Sequence, residues 1–381
     1  MNMVLNDVCE VYSGYALKSF NEGKEGFPVI KIGNILTDGR LSLEDCQYTT
    51  ETVNTKYYSQ KDDVYVALSG ATTGKIGLME TDESYVINQR VGVVRRKDKK
   101  IPSRFIKYFL LKQTERILQE AAGCAQPNIS PKQIGAYTFP SFSSEKMEEI
   151  TRELDKVTNV IQYRYKQNNL LDCLIKARFV EMFGALNNTS YETLPLGDIC
   201  EFIKDGTHQT PTYTEDKVRG YKFLSSKDVT SQEISWSNIK YIPESLHNEL
   251  YSKLDPRRGD ILLAKNGTTG VAAVVDTDEV FDIYVSLALL RPKVGYNSRY
   301  LWAVINSNDT KMQFNANLKG IGVPNLHLGE IKKAKVIVPP LEQQEKFAVF
   351  LEQIDKSKVA IQKSLAETQL LFDKLMQDYF G

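Results

Sequence analysis

The chain has 381 residues, with 48 Lys and Arg against 48 Asp and Glu, a formal net charge of zero. Apolar residues make up 42% and charged residues 25%, an ordinary globular balance that excludes a disordered tail and a collagen-like chain. Zero net charge also stands, on its face, against a nucleic-acid binder, which is usually basic.

No run approaches 18 apolar residues, so no membrane span is expected. The start, MNMVLNDVCEVY, lacks the basic and apolar regions of a secretory signal. Cys9, Cys46, Cys124, Cys173 and Cys200 are widely spaced and form no C-x-x-C. A reduced cytoplasmic protein of roughly two to three domains is the expectation.

In chain order, Val64–Leu68 and Val91–Arg95 read as strands, being β-branched runs bounded by turn residues. A short helix is expected near Ser103–Gln119. Pro140-Ser141-Phe142-Ser143-Ser144 marks a boundary, and a long polar helical stretch follows. There Ile150, Leu154, Val157, Ile161, Arg164, Asn168, Leu171, Ile175, Arg178 and Met182 recur at steps of four and three, the seam of a coiled coil. Strands are expected again at Ile261–Ala264 and Ser286–Leu290, and a helix near Arg299–Ser307. After Pro339-Pro340 a second stretch places Phe347, Leu351, Ile354, Lys358, Ile361, Leu365, Thr368, Phe372, Leu375 and Tyr379 at the same steps. Neither stretch holds Pro or an interior Gly, and a helix of about 38 residues would reach about 57 Å.

The second half repeats the first. Leu5-Asn6-Asp7-Val8-Cys9-Glu10 returns 191 residues later as Leu196-Gly197-Asp198-Ile199-Cys200-Glu201. Asp63-Val64-Tyr65-Val66-Ala67 returns 197 residues later as Asp260-Ile261-Leu262-Leu263-Ala264. A Gly-Thr loop follows each, Ser69–Gly74 and Asn266–Gly270. Pro127-Asn128-Ile129 answers to Pro324-Asn325-Leu326, and Phe183-Gly184 to Phe380-Gly381. A period far beyond that of a solenoid means two copies of a whole domain.

The expected class is α+β: two similar mixed α/β domains separated by two long helices that form an antiparallel coiled coil, with an internal pseudo-two-fold repeat. The expected boundaries are a first domain at 1–142, a central helix at 143–187, a second domain at 188–340 and a C-terminal helix at 341–381. Asn168 stands where the second stretch has Leu365; a polar seam residue can fix register at some cost in stability, and the alternative is a solvated residue toward a helix end. Two related domains held apart by a rigid spacer suit a bipartite target. Duplex DNA is one, because half-site spacing mirrors protein geometry. A coiled-coil adaptor that binds proteins and no DNA would keep the same plan.

The sequence resembles, over essentially its whole length, the specificity subunit of type I restriction-modification systems. The carriers are the domain–helix–domain–helix order and the segments Leu196–Cys200, Asp205-Gly206-Thr207-His208-Gln209-Thr210-Pro211, Arg258-Gly259-Asp260-Ile261-Leu262, Gly322-Val323-Pro324-Asn325-Leu326, Val338-Pro339-Pro340-Leu341-Glu342-Gln343-Gln344 and Ala177–Gly184. The resemblance implies two target-recognition domains, each reading half of a split double-stranded DNA sequence. The helices would form the spacer and dock two methyltransferase subunits. The partner methylates adenine with S-adenosylmethionine, and restriction-translocase subunits cleave unmodified DNA with ATP and Mg. This chain itself would carry no cofactor, no metal and no catalytic centre. The first copy departs from the pattern, with Ser13-Gly14-Tyr15-Ala16-Leu17-Lys18 against Gly206–Pro211 and Pro140-Ser141-Phe142-Ser143 against Pro339–Glu342.

Competing chemistry is weak. Gly70–Ile76 looks like a phosphate-binding loop, but Ser69 stands at the first Gly position, Ile76 replaces the metal-binding hydroxyl, and the second copy loses the Lys. The alternatives for it are a plain β-turn or a loop touching DNA. No N-P-P-[YF] motif and no G-x-G-x-x-G occurs. Glu330-Ile331-Lys332 lacks the upstream P-D of a nuclease and reads as surface charge. His208, His247 and His327 have no metal-ligand spacing with a Cys; His208 and His327 are candidate polar DNA contacts. Arg95–Lys100 is a basic cluster, either a solvated turn or a phosphate contact.

In the first domain the candidate DNA contacts are Tyr15, Lys31, Asn34, Ser69, Thr72, Thr73, Lys75, Gln89 and Arg90. Gln89 suits an adenine edge and Arg90 a guanine edge. In the second they are Lys204, His208, Lys222, Ser225, Lys227, Lys265, Asn266, Thr268, Thr269 and Tyr284. Gln126-Pro127-Asn128 and Pro324-Asn325 read as structural turns, since X-Pro steps favour extended or turn geometry.

Overall fold

The computed structural model describes residues 2–21, 23–122, 127–318 and 325–381. Cys124, Gln126 and Gly322–Pro324, all named above, lie outside these. The chain divides into two compact units, 1–166 with 362–381, and 167–361.

The first unit contains β1 (Asn2–Val4), α1 (Leu5–Val8), β2 (Cys9–Ser13), β3 (Phe27–Ile30), β4 (Gln47–Thr49), β5 (Val64–Ala67), β6 (Ile76–Leu78), β7 (Val86–Ile87), β8 (Val91–Arg96), α2 (Ser103–Lys112), α3 (Thr114–Ala121), α4 (Pro131–Gly135), β9 (Thr138–Pro140) and the first part of α5 (Ser144–Phe183). An antiparallel sheet runs in the order β2-β8-β5-β6, and a smaller one in the order β4-β3-β7 with β3 and β7 parallel. Period 2 sorts the side chains of β5 between two layers. Val64 and Val66 pack with Phe105, Ile106 and Phe109 of α2, whereas Tyr65 and Ala67 pack with Ile30 and Ile87 of the small sheet and with Ile35 beyond it. A strand buried on both faces reads as a continuous apolar run, as this one does.

The helix expected at Ser103–Gln119 is two helices. It breaks at Gln113, and the Thr114 hydroxyl donates to the Leu111 carbonyl at 2.8 Å. β1 pairs antiparallel with β9, just ahead of α5. Residues 362–381 return to this unit, where Met376 and Phe380 pack with Met147, Ile150 and Leu154, and the Tyr379 hydroxyl donates to Glu153.

The second unit repeats this order with one helix, α7, added: β10 (Glu192–Pro195), α6 (Leu196–Ile199), β11 (Cys200–Asp205), β12 (Tyr221–Leu224), β13 (Lys240–Ile242), α7 (Glu244–Tyr251), β14 (Ile261–Ala264), β15 (Ala272–Val274), β16 (Phe281–Ile283), β17 (Leu287–Pro292), α8 (Ser298–Ile305), α9 (Asn308–Ala316), α10 (Leu328–Lys333), β18 (Lys335–Val338) and the first half of α11 (Leu341–Phe380). Its sheets run β11-β17-β14-β15 and β13-β12-β16, again with one parallel pair in the small sheet. Ile261 and Leu263 face the helices, and Leu262 and Ala264 face the small sheet. Here α5 and α11 run antiparallel, with Asp172 paired to Lys358 and Phe183 against Phe347.

The long helices are 40 residues each. α5 ends at Gly184, whose φ of +79° is the left-handed cap that glycine accepts. Each helix belongs partly to both units, so neither is a body separate from the domains. Along the first apolar series every position is buried or half-buried except Arg178, where the neighbouring Phe179 is buried instead. All ten positions of the second series are buried or half-buried. Asn168 is half-buried, and its Oδ1 has no partner among the described residues.

Single-residue steps in the offset have visible structural causes. β11 carries a bulge between Cys200 and Phe202, so Glu201 is an extra residue and later positions of the strand shift from 191 to 192. The Gly-Thr loop is one residue shorter in the second unit: the Gly74 N–H bonds Ala67, and its counterpart, the Gly270 N–H, bonds Ala264.

Candidate nucleic-acid interface

In the first unit five backbone segments meet at one rim of the two sheets. Tyr15, just past β2, forms a bridge with Asn88, just past β7. The Asn88 N–H donates to the Ile30 carbonyl at the end of β3 at 3.0 Å. The turn from Asn88 to Val91 closes with a 2.9 Å bond, and its Arg90 carbonyl accepts from Leu68 at 2.9 Å. Ser69, opening the β5–β6 loop, bridges to Asn128, and the Ile129 N–H donates to Leu68 at 2.9 Å. The rim therefore gathers Tyr15, Lys31, Ser69, Asn88-Gln89-Arg90 and Asn128.

The second unit builds the same rim. Thr207 bridges Tyr284, the Tyr284 N–H donates to Leu224 at 2.9 Å, and the turn closes between Leu287 and Tyr284 at 2.9 Å. The Lys265 N–H donates to Ser286 at 2.8 Å, and Asn266 bridges Asn325. Gly14 and Gly206 occupy equivalent places, and a Cβ at either would fall on the carbonyl oxygens of Ile87 and Asn88, or of Ile283 and Tyr284. The β2 and β11 ends thus reach the turn only with glycine there.

Most of the sequence candidates lie along these rims. Gln89 and Arg90 are exposed on their turn, and Ser69, Thr72 and Lys75 are half-buried in their loop. In the second unit His208, Lys227 and Thr268 are exposed, and Asn266, Thr269 and Tyr284 half-buried. The His208 ring lies 3.5 Å from Asp205. Tyr15 packs against Tyr57 at 5.4 Å, and Lys31 lies over the Phe20 ring and donates to Gln47. Burial lowers the Lys31 pKa from its ordinary value.

Six candidates are engaged within the fold. Thr73 is buried, and its hydroxyl donates to the Gly70 carbonyl at 2.7 Å. Lys265 is buried and ion-paired with Asp205 beneath the rim. The Asn34 side chain accepts from the Lys31 N–H at 2.8 Å and donates to the Ser42 carbonyl at 2.9 Å, which pins a single helical turn. In the second unit Asp228 takes the place of Asn34, accepting from the Ser225 N–H at 2.7 Å and from the Ser225 hydroxyl at 3.0 Å. Lys222 sits at the start of β12, away from the rim, paired with Glu279 at 2.6 Å. Lys204 is exposed on β11 with its ammonium over the Phe202 ring.

The basic cluster is largely structural. Arg95 clasps Asp63 through bonds of 2.8 and 2.7 Å, and Arg291 clasps Asp260 in the same way at 2.9 and 2.8 Å. Arg96 pairs with Asp62, and the Lys97 ammonium donates to the Asn6 carbonyl. The Gly70–Ile76 segment joins the antiparallel strands β5 and β6, whereas a nucleotide-binding loop opens a helix.

Two features escaped the sequence reading. Asn128 and Asn325, taken as parts of turns, stand on the rims; Asn128 is exposed, and the Asn325 Oδ1 is buried without a partner among the described residues. The His247 Nδ1 lies 2.7 Å from the Asp282 carboxylate in the interior, stacked on Tyr221 at 3.7 Å. Burial raises the Asp282 pKa, against the opposing effect of His247. Its partner lies 35 residues away, beyond the reach of a spacing argument. Asp282 also helps line a surface cavity of about 570 Å³ with Asp205, Thr207 and His208. Among the described residues no group of three His, Cys, Asp or Glu is placed to hold a metal.

A duplicated domain with a polar rim on each copy defines a two-headed recognition protein. The chain belongs to the family described as type I restriction modification DNA specificity domain, whose profile matches residues 1–172 and 188–369. It is similar to the type I restriction enzyme MjaVIII specificity subunit of Methanocaldococcus jannaschii, 22% identical over 79% of this chain and 74% of the other. The EcoBI specificity subunit of Escherichia coli is 19% identical over 99% of this chain and 84% of that one. Among solved structures, the S subunit of a type I restriction-modification system from M. genitalium matches with a TM-score of 0.54 at 16% identity, covering 100% of this chain and 96% of the other. A chain from a structural study of type I complex assembly and conformational transition matches with a TM-score of 0.57 at 16% identity over the same shares. The chain is a specificity component and not a catalytic one. No helix among the described residues is long and apolar enough to cross a membrane.

Proposed function

We propose that each unit reads one half of a split double-stranded DNA site through its rim, and that the long helices set the distance between the halves. The observation that carries this reading is the rim itself, built twice with the same backbone bonds and with different side chains on its turn, Asn88-Gln89-Arg90 against Tyr284-Val285-Ser286. One framework presenting two sets of side chains is what reading two unlike half-sites requires. The outer faces of the helices, with Tyr163, Leu170 and Leu174 exposed on α5, supply docking surface for two methyltransferase subunits. S-adenosylmethionine belongs to those partners, and ATP and Mg to restriction subunits, all in the cytoplasm. The adaptor reading without DNA has no observation in its favour, since the family is a DNA specificity domain.

Methylome sequencing of cells with and without this chain tests the function. The expected result is a split motif with methylated adenine in both halves that vanishes when the chain is removed. A methylome unchanged by its removal, with the methyltransferase partner expressed, would refute it.

A further inference from the structure

Each rim has two arms, and the internal duplication lets them be compared. The first arm is the glycine loop with its bridging asparagine: Ser69-Gly70 with Asn128, and Asn266-Gly267 with Asn325. The second is the turn beside it: Asn88-Gln89-Arg90, and Tyr284-Val285-Ser286.

The first arm keeps its glycine and its bridging asparagine between copies, while Ser69 is replaced by Asn266. Gly70 and Gly267 both adopt positive φ, +84° and +75°. That backbone conformation accounts for glycine at both places, although the space is open: a Cβ on Gly267 would meet nothing within 4 Å, and one on Gly70 only Ile32 at 3.5 Å. Burial does not demand asparagine at the first copy, since Asn128 is exposed. The second arm keeps only its backbone. Gln89 and Arg90 point a long amide and a guanidinium into solvent, whereas Val285 is half-buried, and Ser286 is buried and accepts from the Ser226 N–H at 3.0 Å.

Two domains that read different sequences share only what every duplex offers, its phosphate backbone. We propose that the rim is divided by task. The Asn128 and Asn325 amides, beside their glycine loops, donate to DNA phosphates in both half-sites, and the Gln89-Arg90 turn reads bases in the first. The glycines let the loop backbone approach the sugar-phosphate chain closely. This rests on the DNA-reading function proposed above and says which residues position the domain and which discriminate.

The test uses the full chain assembled with its methyltransferase subunits. Fluorescence anisotropy measures binding to the split duplex and to a duplex with the first half-site scrambled, and the methylated motif is sequenced in cells. Asn128→Ala is expected to weaken binding to both duplexes by the same factor, about threefold to tenfold. Asn128→Asp, which sets a negative charge against the phosphate, weakens it further, with the motif unchanged. Arg90→Ala leaves binding to the scrambled duplex alone and relaxes one position of the first half-site.

An Asn128 variant that changes which bases are accepted makes Asn128 a base reader and overturns the division. So does an Asn128→Asp variant that binds like wild type. So does a loss of affinity that disappears once the unfolded fraction is measured, since Asn128 would then serve the fold. Wild-type protein that binds both duplexes equally would instead overturn the underlying DNA-reading function.

Discussion

The buried Lys265–Asp205 pair gives a stability prediction for which the molecule supplies its own control. The side chains are 6% and 16% exposed, so the ammonium has almost no solvent to replace a lost partner. In the first unit the equivalent positions are Ser13 and Leu68, as the matched pairings of β2 and β11 and the matched Leu68–Arg90 and Lys265–Ser286 bonds establish. Asp205→Ser alone strands a buried cation and is expected to cost about 3–5 kcal/mol. Adding Lys265→Leu recreates the combination of the first unit, and the double variant is expected within about 1 kcal/mol of wild type, because an apolar replacement of a buried pair is often neutral or better. The assay is urea unfolding followed by tryptophan fluorescence. Both tryptophans of the chain, Trp236 and Trp302, lie in the second unit, so the signal reports on the unit that carries the substitution. With a urea slope of about 2–3 kcal/mol/M, the single variant shifts the midpoint by about 1–2 M. A single variant that loses less than about 1 kcal/mol, or a double variant as weak as the single one, would refute the reasoning.

Further outcomes follow from the rims and the thiols. Gly14→Ala places a methyl against the Ile87 and Asn88 carbonyls, and Gly206→Ala does the same at Ile283 and Tyr284. Each is expected to cost about 1–3 kcal/mol and to degrade recognition of one half-site only, which binding to half-scrambled duplexes measures. Equal loss at both halves would count against independent reading. Burial pushes the Cys9 and Cys200 thiols up to about 12, while Cys173 is exposed. A maleimide at pH 8 is therefore expected to label Cys173 within minutes, and Cys9 and Cys200 only on unfolding, as peptide mass spectrometry would show. Hydrogen bonds from the Ser19 and Lys18 N–H groups hold the Glu51 carboxyl below its ordinary value of 4.5. A depressed carboxyl contributes stability that is present above that value and is lost as pH falls through the folded one. Hydrogen-exchange protection at Lys18 and Ser19 should fall with acid in wild type and not in Glu51→Gln.

The parts of the fold that read easily from sequence rest on local periods. The steps of four and three that mark the less exposed side of α5 and α11 need only one turn of neighbours, and so does the continuous apolar run of β5 and β14. The rim was half legible for the same reason. Glycine loops and turns announce exposed backbone, and Gln89, Arg90 and Asn266 were found by standing beside them. What decides Lys265 is not local. Lys265 follows an apolar strand and precedes a glycine loop, which reads as a loop cation. Its burial depends on Asp205, 60 residues earlier. The Arg95–Asp63 and Arg291–Asp260 clasps span 32 and 31 residues, so a run of cations looked available that the fold had already committed. Repetition could have corrected this: Asp63 recurs as Asp260 and Arg95 as Arg291, and a charged pair kept in both copies points to the framework both share.

Those commitments also resolve the neutral composition. Of the 48 Lys and Arg, Arg95 and Arg96 of the basic cluster pair with Asp63 and Asp62, and Arg291 in the second unit pairs with Asp260. Near the rims Lys31, Lys75, Arg90 and Lys227 make no ion pair among the described residues, which leaves only a few cations per half-site. Each phosphate neutralised adds about −0.9 to the slope of log affinity against log salt. The isolated chain, engaging two or three phosphates per rim, should bind its site weakly and with a slope no steeper than about −5. Methyltransferase subunits that grip the duplex themselves should raise the affinity and steepen the slope together. Anisotropy titrations from low to moderate salt, with and without the partner, measure both quantities. An isolated chain as salt-sensitive as the assembled complex would mean that cations outside the rims carry the DNA.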